Sequence, residues 1–175
     1  MSQVRRRLAQ GLRALLAFAI TPDLALAQKY LSNCEFAAFR ALSRSEQLHS
    51  LNVLRAVLAA EPYAPSVLTA AALLHDVGKS RRQLAVWQKT LAVLAQSLAP
   101  GLSQQLSREE SPSAWRFPFI VQRQHPKWGG EILRACGSDV ELIWLVEHHQ
   151  AEANAHRAHP AYTMLRRLQA ADNAS

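Results

Sequence analysis

The sequence predicts an all-α fold, organised as a single domain of packed helices. Apolar residues recur at three- and four-residue spacing through most of the chain, and no segment alternates apolar and polar residues convincingly. Proline, serine and glycine residues separate these segments at places typical of helix starts and ends. The chain has 175 residues, 49% of them hydrophobic, which is enough for one hydrophobic core.

The first 44 residues are predicted to form helices that pack on the rest of the chain. The segment around residues 4–16 places its leucines on one helical face. Its arginine run and apolar stretch also resemble a secretory signal, but Gln10, Gly11 and Arg13 interrupt that stretch, so we favour an ordinary helix. Two short helices follow, over about 22–31 with Thr21 as the cap and over about 34–42 with Ser32 as the cap.

The middle of the chain contains three predicted helices. The first follows Ser45 and covers residues 46–60, and the second opens at Pro65 and runs to the His75-Asp76 pair. Gly78 is then a predicted left-handed stop. The third covers residues 83–98, and the polar, aperiodic residues 107–117 are predicted to form a loop and a candidate lid.

The C-terminal third has clear start and stop signals. His125-Pro126 predicts a helix start, and Gly137 predicts the end of that helix. Ser138 and Glu141 form a predicted capping box for the next helix, which ends at His148-His149. The last helix is predicted from His159-Pro160 to about residue 173. We expect residues 45–175 to be the functional unit and residues 1–44 to serve packing.

The charge balance favours anionic partners. Lysine and arginine total 20 against 13 acidic residues, a formal net charge of +7. No nucleic-acid-binding motif accompanies this charge, so a phosphorylated small molecule or nucleotide fits it as well as a nucleic acid does. Cys34 and Cys136 have no paired spacing and are predicted to be buried or free thiols in a reducing compartment, the cytoplasm, with no disulfide. No apolar run approaches the roughly 18 residues of a membrane span.

Histidines and aspartates occur along the chain in a series that suggests one metal centre. Five of the seven histidines belong to it, and imidazole and carboxylate are ligands of divalent iron, manganese and zinc. The series is His49, His75, Asp76, His125, His148, His149 and Asp172. Metal-assisted hydrolysis is therefore the leading interpretation of the pattern.

Single members of the series also have structural explanations. His49 could be a core histidine hydrogen-bonded to Asn52, and His125 could cap a helix. His148-His149 could be a polar helix end. Asp172 continues the apolar face of the last helix, where a carboxylate needs a cation or strong donors, but it could equally be exposed at a frayed end. His156 and His159 lie outside the series and are predicted to be solvated, whereas the segment around Trp144 is predicted to be mostly core.

The string Leu-Leu-His-Asp-Val-Gly-Lys at residues 73–79 makes the pattern specific. Together with the upstream histidine, the later histidine pair and the C-terminal aspartate, it resembles the HD superfamily of metal-dependent phosphohydrolases, and within it the binuclear HDIG-type branch. The resemblance covers about residues 45–173 and implies a helical bundle that hydrolyses phosphate esters. Val77 replaces the usual isoleucine, no Gly-Tyr-Pro tripeptide follows, and Gln150 follows the histidine pair, which leaves the substrate open.

The resemblance also implies roles for individual residues. A first metal would be held by His49, His75, Asp76 and Asp172, and a second by His125, His148 and His149, with Asp76 bridging the two. Catalysis would involve Asp76 and Lys79, with a metal-bridging hydroxide as the nucleophile and Lys79 beside the substrate phosphate. The metals could be iron, manganese, zinc or nickel, which these ligand types do not distinguish.

Two points about function stay open at this stage. Arg166 could bind a substrate phosphate or belong to a solvated basic face. The alternatives to hydrolysis are a dinuclear iron oxygenase of the same fold and a non-catalytic nucleotide-binding signalling module. Lys79 and the basic charge favour hydrolysis, and the complete ligand series argues against a non-catalytic module.

Overall fold

The computed structural model describes residues 20–82 and 117–175, the side chains of residues 117 and 118 excepted. These residues contain helices and no β-strand, which confirms the all-α prediction. The predicted helices over 4–16 and 83–98 lie outside the described residues, as does the predicted loop apart from residue 117. The α-helices, in chain order, are α1 Leu24–Gln28, α2 Asn33–Arg40, α3 Arg44–Ala60, α4 Ser66–Leu74, α5 Phe117–Ala135, α6 Val140–His148 and α7 Tyr162–Ala174. Two 3₁₀ helices, Val77–Arg81 and Ala153–His156, follow α4 and α6.

The predicted caps at the N-terminal side are partly right. Ser32 caps α2 as predicted, because its hydroxyl accepts from the Glu35 N–H at 3.4 Å while the Glu35 carboxylate accepts from the Ser32 N–H at 2.9 Å. Thr21 is not the cap of α1, since the helix begins only at Leu24 and the Asp23 side chain accepts from the Leu26 N–H at 3.0 Å. The helix therefore begins two residues later than the position of Pro22 suggested.

Helix α3 begins two residues earlier than predicted. Ser43 rather than Ser45 is its cap, and the Glu46 carboxylate accepts from the Ser43 N–H at 2.9 Å. The correct pairing is therefore the serine three residues before the glutamate, the spacing of a capping box.

Two predictions in the C-terminal third are wrong. Pro126 lies inside α5 and does not open a helix, so His125 is in the middle of that helix. Asp139 caps α6, because its side chain accepts from the Glu141 N–H at 2.7 Å, while the Ser138 hydroxyl donates to the Glu35 carboxylate instead. Gly137 ends α5 with a positive φ of 67°, as predicted.

Helix α4 is the centre of the core. Every residue from 68 to 74 is buried, because this helix is apolar on all sides and is covered by α3, α6 and α7. The largest apolar side chains that its neighbours contribute are also fully buried, among them Leu54, Leu145 and Leu168. The end of α4 therefore places His75 and Asp76 in the interior of the domain.

The two cysteines form a disulfide, so the prediction of two free thiols is wrong. Cys34 and Cys136 have Cα atoms 5.5 Å apart although 102 residues separate them in sequence. The start of α2 packs beside the end of α5, where Ser138 Oγ also donates to Glu35 Oε1 at 2.6 Å. The positions of the two cysteines in the sequence gave no sign that they lie close together. Among the described helices, none is long and apolar enough to cross a membrane.

Candidate metal centre

Five segments bring imidazole and carboxylate groups together around the end of α4. His75 caps α4 and Asp76 follows it, while α5 contributes His125, and His149 follows α6 directly. All four side chains are buried. Helices α3 and α7 add His49 and Asp172 from the other side, both partly exposed.

The first group of ligand atoms lies between α3, α4 and α7. His49 Nε2 is 2.9 Å from Asp172 Oδ1, and His75 Nε2 is 3.7 Å from the same oxygen. His75 Nε2 also lies 3.6 Å from Asp76 Oδ2. His49, His75 and Asp76 offer ligand atoms within 4.8 Å of one another, a spacing that could hold a metal ion.

The second group lies between α4, α5 and α6. Asp76 Oδ1 is 3.1 Å from His125 Nε2 and 3.8 Å from His149 Nε2. The two imidazole nitrogens are themselves only 3.2 Å apart. Asp76 therefore belongs to both groups, with Oδ1 toward the second and Oδ2 toward the first.

The three buried histidines of the site have the tautomer that a metal ligand needs. The Nδ1 atoms of His75, His125 and His149 contact the carbonyls of Ala72, Val121 and Val146 at 3.1, 3.0 and 2.7 Å. A carbonyl can only accept, so each Nδ1 carries the proton and each Nε2 has a free lone pair. These helix-internal hydrogen bonds also fix the orientation of the rings.

The resulting set of acceptors fits a divalent cation. In the neutral tautomers, His125 Nε2, His149 Nε2 and Asp76 Oδ1 are all acceptors that face one another at short range, so the arrangement is repulsive without a cation or proton between them. His75 Nε2 is likewise buried and has no hydrogen-bond partner. Nitrogen and carboxylate oxygen are donors that iron, manganese, zinc and nickel accept.

Electrostatics keep most of these groups in the deprotonated form. Burial lowers the pKa of His149 to about 3, helped by the nearby His75 and His125, and burial also lowers the pKa of His75. Burial alone would raise the pKa of Asp76, but the Lys79 ammonium and the neighbouring histidines hold it well below its usual range. Burial alone would lower the pKa of His49, but the hydrogen bond to Asp172 together with the charges of Asp76 and Asp172 raises it.

Lys79 lies beside the shared carboxylate. Its Nζ donates to Asp76 Oδ2 at 2.6 Å, and its side chain is 23% exposed. Burial would lower the pKa of Lys79, but Asp76 raises it, so the ammonium stays charged at the edge of the site. A fixed positive charge there suits an anionic ligand.

Gly78 does not stop a helix in the left-handed conformation, and its prediction as such a stop is wrong. It lies within the first 3₁₀ helix, directly against α5. A Cβ at Gly78 would overlap the His125 carbonyl oxygen and lie 2.6 Å from the Gly129 nitrogen. The missing side chain is therefore what lets α5 approach closely enough to bring His125 to Asp76.

His148 belongs to neither ligand group. Its ring stacks on Trp144 with centroids 4.5 Å apart, and its Nδ1 donates to the Trp144 carbonyl at 2.8 Å. His159 stacks on the same indole at 3.6 Å, and His156 contacts both Trp144 and His148 edge-on. The two later histidines are thus packed around a half-buried tryptophan, contrary to the prediction that they are solvated. A metal-binding role for His148 stays a prediction from the resemblance.

The structure also gives the contacts of His49 and Asp172 and the exposure of Arg166. Asn52 accepts from Arg55 at 3.2 Å, and His49 pairs with Asp172, so the structural alternative for His49 is wrong. Asp172 is paired, with its side chain 36% exposed, and is not at a frayed end without contacts. Arg166 is exposed on α7, and its contact with a substrate phosphate stays a prediction.

Sequence reasoning missed Gln169. Its side-chain amide donates to the His149 and Ala151 carbonyls at 2.9 and 2.8 Å, and so joins α7 to the end of α6. A glutamine one turn before an aspartate carries no distinctive signal, because only the tertiary packing brings it beside His149.

A comparison with protein families agrees with this geometry. The family model described as HD domain matches residues 48–175. The chain belongs to the HD domain family. This places it in a superfamily of metal-dependent phosphohydrolases. All the metal-ligand positions that the resemblance implies for this chain fall within the matched region. No curated protein and no solved structure matches the chain, and the HDIG-type branch stays a prediction.

Proposed function

We propose that this HD domain protein hydrolyses a phosphate ester, in a nucleotide or a phosphodiester, at a centre of two divalent metal ions. The observation that carries the proposal is the position of Asp76, whose two oxygens face two separate sets of histidines. A carboxylate placed in this way is suited to bridge a pair of ions. Two such ions, when bound, would acidify a water molecule and polarise the phosphoryl oxygens of the substrate.

The residues assigned to the first ion are His49, His75, Asp76 and Asp172, and those assigned to the second are Asp76, His125 and His149, with His148 as a further ligand. Asp76 and Asp172 contribute two negative charges, fewer than the four positive charges of two divalent ions. The centre would therefore keep a positive field, and Lys79 at its edge adds to it. A positive site of this kind favours a phosphate in the ground state and in the more highly charged transition state.

Among the described residues, Lys79 is the one best placed to contact the substrate. Its ammonium lies 2.6 Å from Asp76 and its side chain is 23% exposed, so it can reach a phosphate that approaches from solvent. There it would offset charge on the phosphoryl oxygens or donate a proton to the leaving oxygen. Arg166 is a weaker candidate for a second phosphate contact. A nucleotide or another phosphorylated small molecule fits the net charge of +7, and so does a nucleic acid.

Hydrolysis is favoured over dioxygen chemistry by Lys79, whose charge serves an anionic substrate. The cytoplasmic location was predicted from free cysteines, and the disulfide removes that support, because persistent disulfides are typical of oxidising compartments.

The proposal is tested by assaying the chelator-treated protein, reloaded with manganese, on bis(p-nitrophenyl) phosphate and on p-nitrophenyl phosphate. We expect metal-dependent hydrolysis of at least one of them, and a loss of more than about 100-fold in Asp76→Asn, since even residues behind the ligands typically contribute 10–100-fold. Asp23→Asn is the matched control, because asparagine also caps a helix and Asp23 lies at the start of α1.

Two outcomes would contradict the proposal. One is a manganese-loaded protein that holds two ions and hydrolyses neither compound, which would favour a binding module. The other is substrate oxidation that depends on dioxygen in the iron-loaded protein, which would favour an oxygenase.

A further inference from the structure

Gln169 connects the two halves of the metal centre. It lies on α7 one turn before Asp172, which contacts the first ligand group. Its side-chain nitrogen donates both of its protons across to another segment, to the His149 carbonyl at 2.9 Å and to the Ala151 carbonyl at 2.8 Å. His149 belongs to the second ligand group.

The carbonyls that Gln169 binds lie at and just beyond the C-terminal end of α6. Helix α6 ends at His148 and His149 is its cap, so the carbonyls that follow point beyond the last turn. The chain turns there, with the Ala151 N–H donating to the His148 carbonyl at 2.8 Å. The backbone of a proposed metal ligand is therefore held from outside, by the helix that carries Asp172.

The ring of His149 is fixed by two separate restraints. The hydrogen bond from Nδ1 to the Val146 carbonyl, at 2.7 Å, sets the ring relative to α6. The two hydrogen bonds from Gln169 fix the position of the C-terminal end of α6 relative to α7. Together they restrain the position of His149 Nε2, which lies 3.8 Å from Asp76 Oδ1.

We propose that Gln169 is a positioning residue for the second metal site, which it supports through the backbone of His149. The inference rests on the proposed two-metal function. It assigns the residue a selective effect: loss of the amide donors weakens the binding of the second ion and leaves the first ion nearly unaffected. General stabilisation of α7 would instead affect both ions, because Asp172 is on the same helix.

The experiment compares variants in which one site has been removed. In the Asp172→Ala background only the second site is intact, and in the His125→Ala background only the first. We expect Gln169→Met, which keeps the length of the side chain but has no donor, to weaken manganese binding about tenfold in the first background and less than about twofold in the second. Gln169→Glu should behave like Gln169→Met, since a carboxylate cannot donate either. Affinities are measured by competition with a chromophoric chelator.

Asn173→Ala is the matched control on α7. Its side chain also donates to a backbone carbonyl, that of Gln169 at 2.8 Å, but makes no hydrogen bond to the described residues of α6. It should leave both affinities unchanged. Gln169→Met is also titrated with both sites intact, where one of the two ions should bind more weakly, so the result does not depend on the folding of double variants.

The inference is overturned if Gln169→Met weakens both ions equally, changes neither, or if the wild-type protein binds no manganese. If manganese binds and the selective loss is seen but no phosphate ester is hydrolysed, the positioning role stands and the proposed activity fails.

Discussion

At the scale of single residues, Asp76 has the largest predicted effect. Its oxygens face both ligand groups, whereas Asp172 faces only the first. We therefore expect Asp76→Ala to lose both metal ions and Asp172→Ala to lose mainly the first. Plasma mass spectrometry on protein reloaded with manganese gives the number of ions per chain. Two ions per chain in Asp76→Ala would show that this carboxylate does not bridge.

Histidine burial gives the metal-free protein a pH-dependent stability. The pKa of His149 is about 3 in the folded chain and roughly 6.5 in the unfolded chain. Below pH 6.5 the unfolded chain therefore binds a proton on His149 that the folded chain does not bind. Stability is thus lost as the pH falls, by about 2 kcal/mol between pH 6.5 and 5. The lowered pKa of His75 acts in the same direction, and the raised pKa of His49 opposes it.

Urea unfolding of the chelator-treated protein at pH 7 and pH 5 measures this loss. His149→Gln should show a clearly smaller difference between the two pH values, because glutamine does not titrate. An equal difference in the variant and the wild type would mean that His149 is not the group responsible.

The ligand residues themselves were predictable from sequence because their chemistry is specific. Histidine and aspartate are costly to bury, so a series of them on otherwise apolar helices implies a shared reason for burial. Orientation was less predictable. The adjacent residues His148 and His149 are equivalent in the sequence, yet His149 points to Asp76 and His148 stacks on Trp144.

At the scale of elements, the contact between the first 3₁₀ helix and α5 determines whether the second site forms. Gly78 has room for no side chain, since a Cβ would meet the backbone of His125 and Gly129. Backbone cannot move aside as a flexible side chain does, so Gly78→Ala must push α5 away from Asp76. We expect at least a tenfold loss of affinity for the second ion and a smaller effect on the first.

Gly137→Ala is the control for that substitution. It replaces a glycine at the end of the same helix, where a Cβ meets nothing within 4 Å but the positive φ costs about 1 kcal/mol. It should lower the thermal midpoint without changing the relative affinities of the two ions. A Gly78→Ala protein with normal affinity for both ions would show that the close approach is not required.

Element boundaries show which sequence signals are reliable. The Ser32 cap and the Gly137 stop are local hydrogen-bonding or conformational preferences, and both occur as predicted. Pro126 was misread because proline is favoured in the first turn of a helix, whereas here α5 continues through it. The packing of α5 against the 3₁₀ helix and α6 outweighs the hydrogen bond that proline cannot make.

At the scale of the whole molecule, the fold gathers ligands from segments that are far apart in sequence. His49 and Asp172 lie near opposite ends of the matched region and are joined at 2.9 Å. The apolar periodicity predicted helices but not their arrangement, which depends on which faces pack together. The family resemblance supplied that arrangement for the ligands. It supplied nothing for Cys34 and Cys136, whose pairing depends on how α2 packs against the end of α5.

The disulfide gives the last prediction, because it restrains the unfolded chain more than the folded one. It closes a loop across a separation of 102 residues, and such a cross-link typically stabilises a protein by about 2–4 kcal/mol. Cys34 is exposed and Cys136 partly so, which gives a reductant access to the bond. Reduction should therefore lower the stability of the wild type toward urea by that amount.

Cys34→Ser and Cys136→Ser should each show the same lower stability, and reductant should have no further effect on either variant. A thiol assay under denaturing conditions should find no free thiol in the oxidised wild type and two after reduction. The two serine variants separate loss of the cross-link from loss of a side chain: Cys34 is exposed and Cys136 is half-buried, so only the shared bond predicts an equal effect. Unequal losses, or two free thiols in the untreated protein, would mean that α2 is held on α5 by the Ser138–Glu35 hydrogen bond and packing alone.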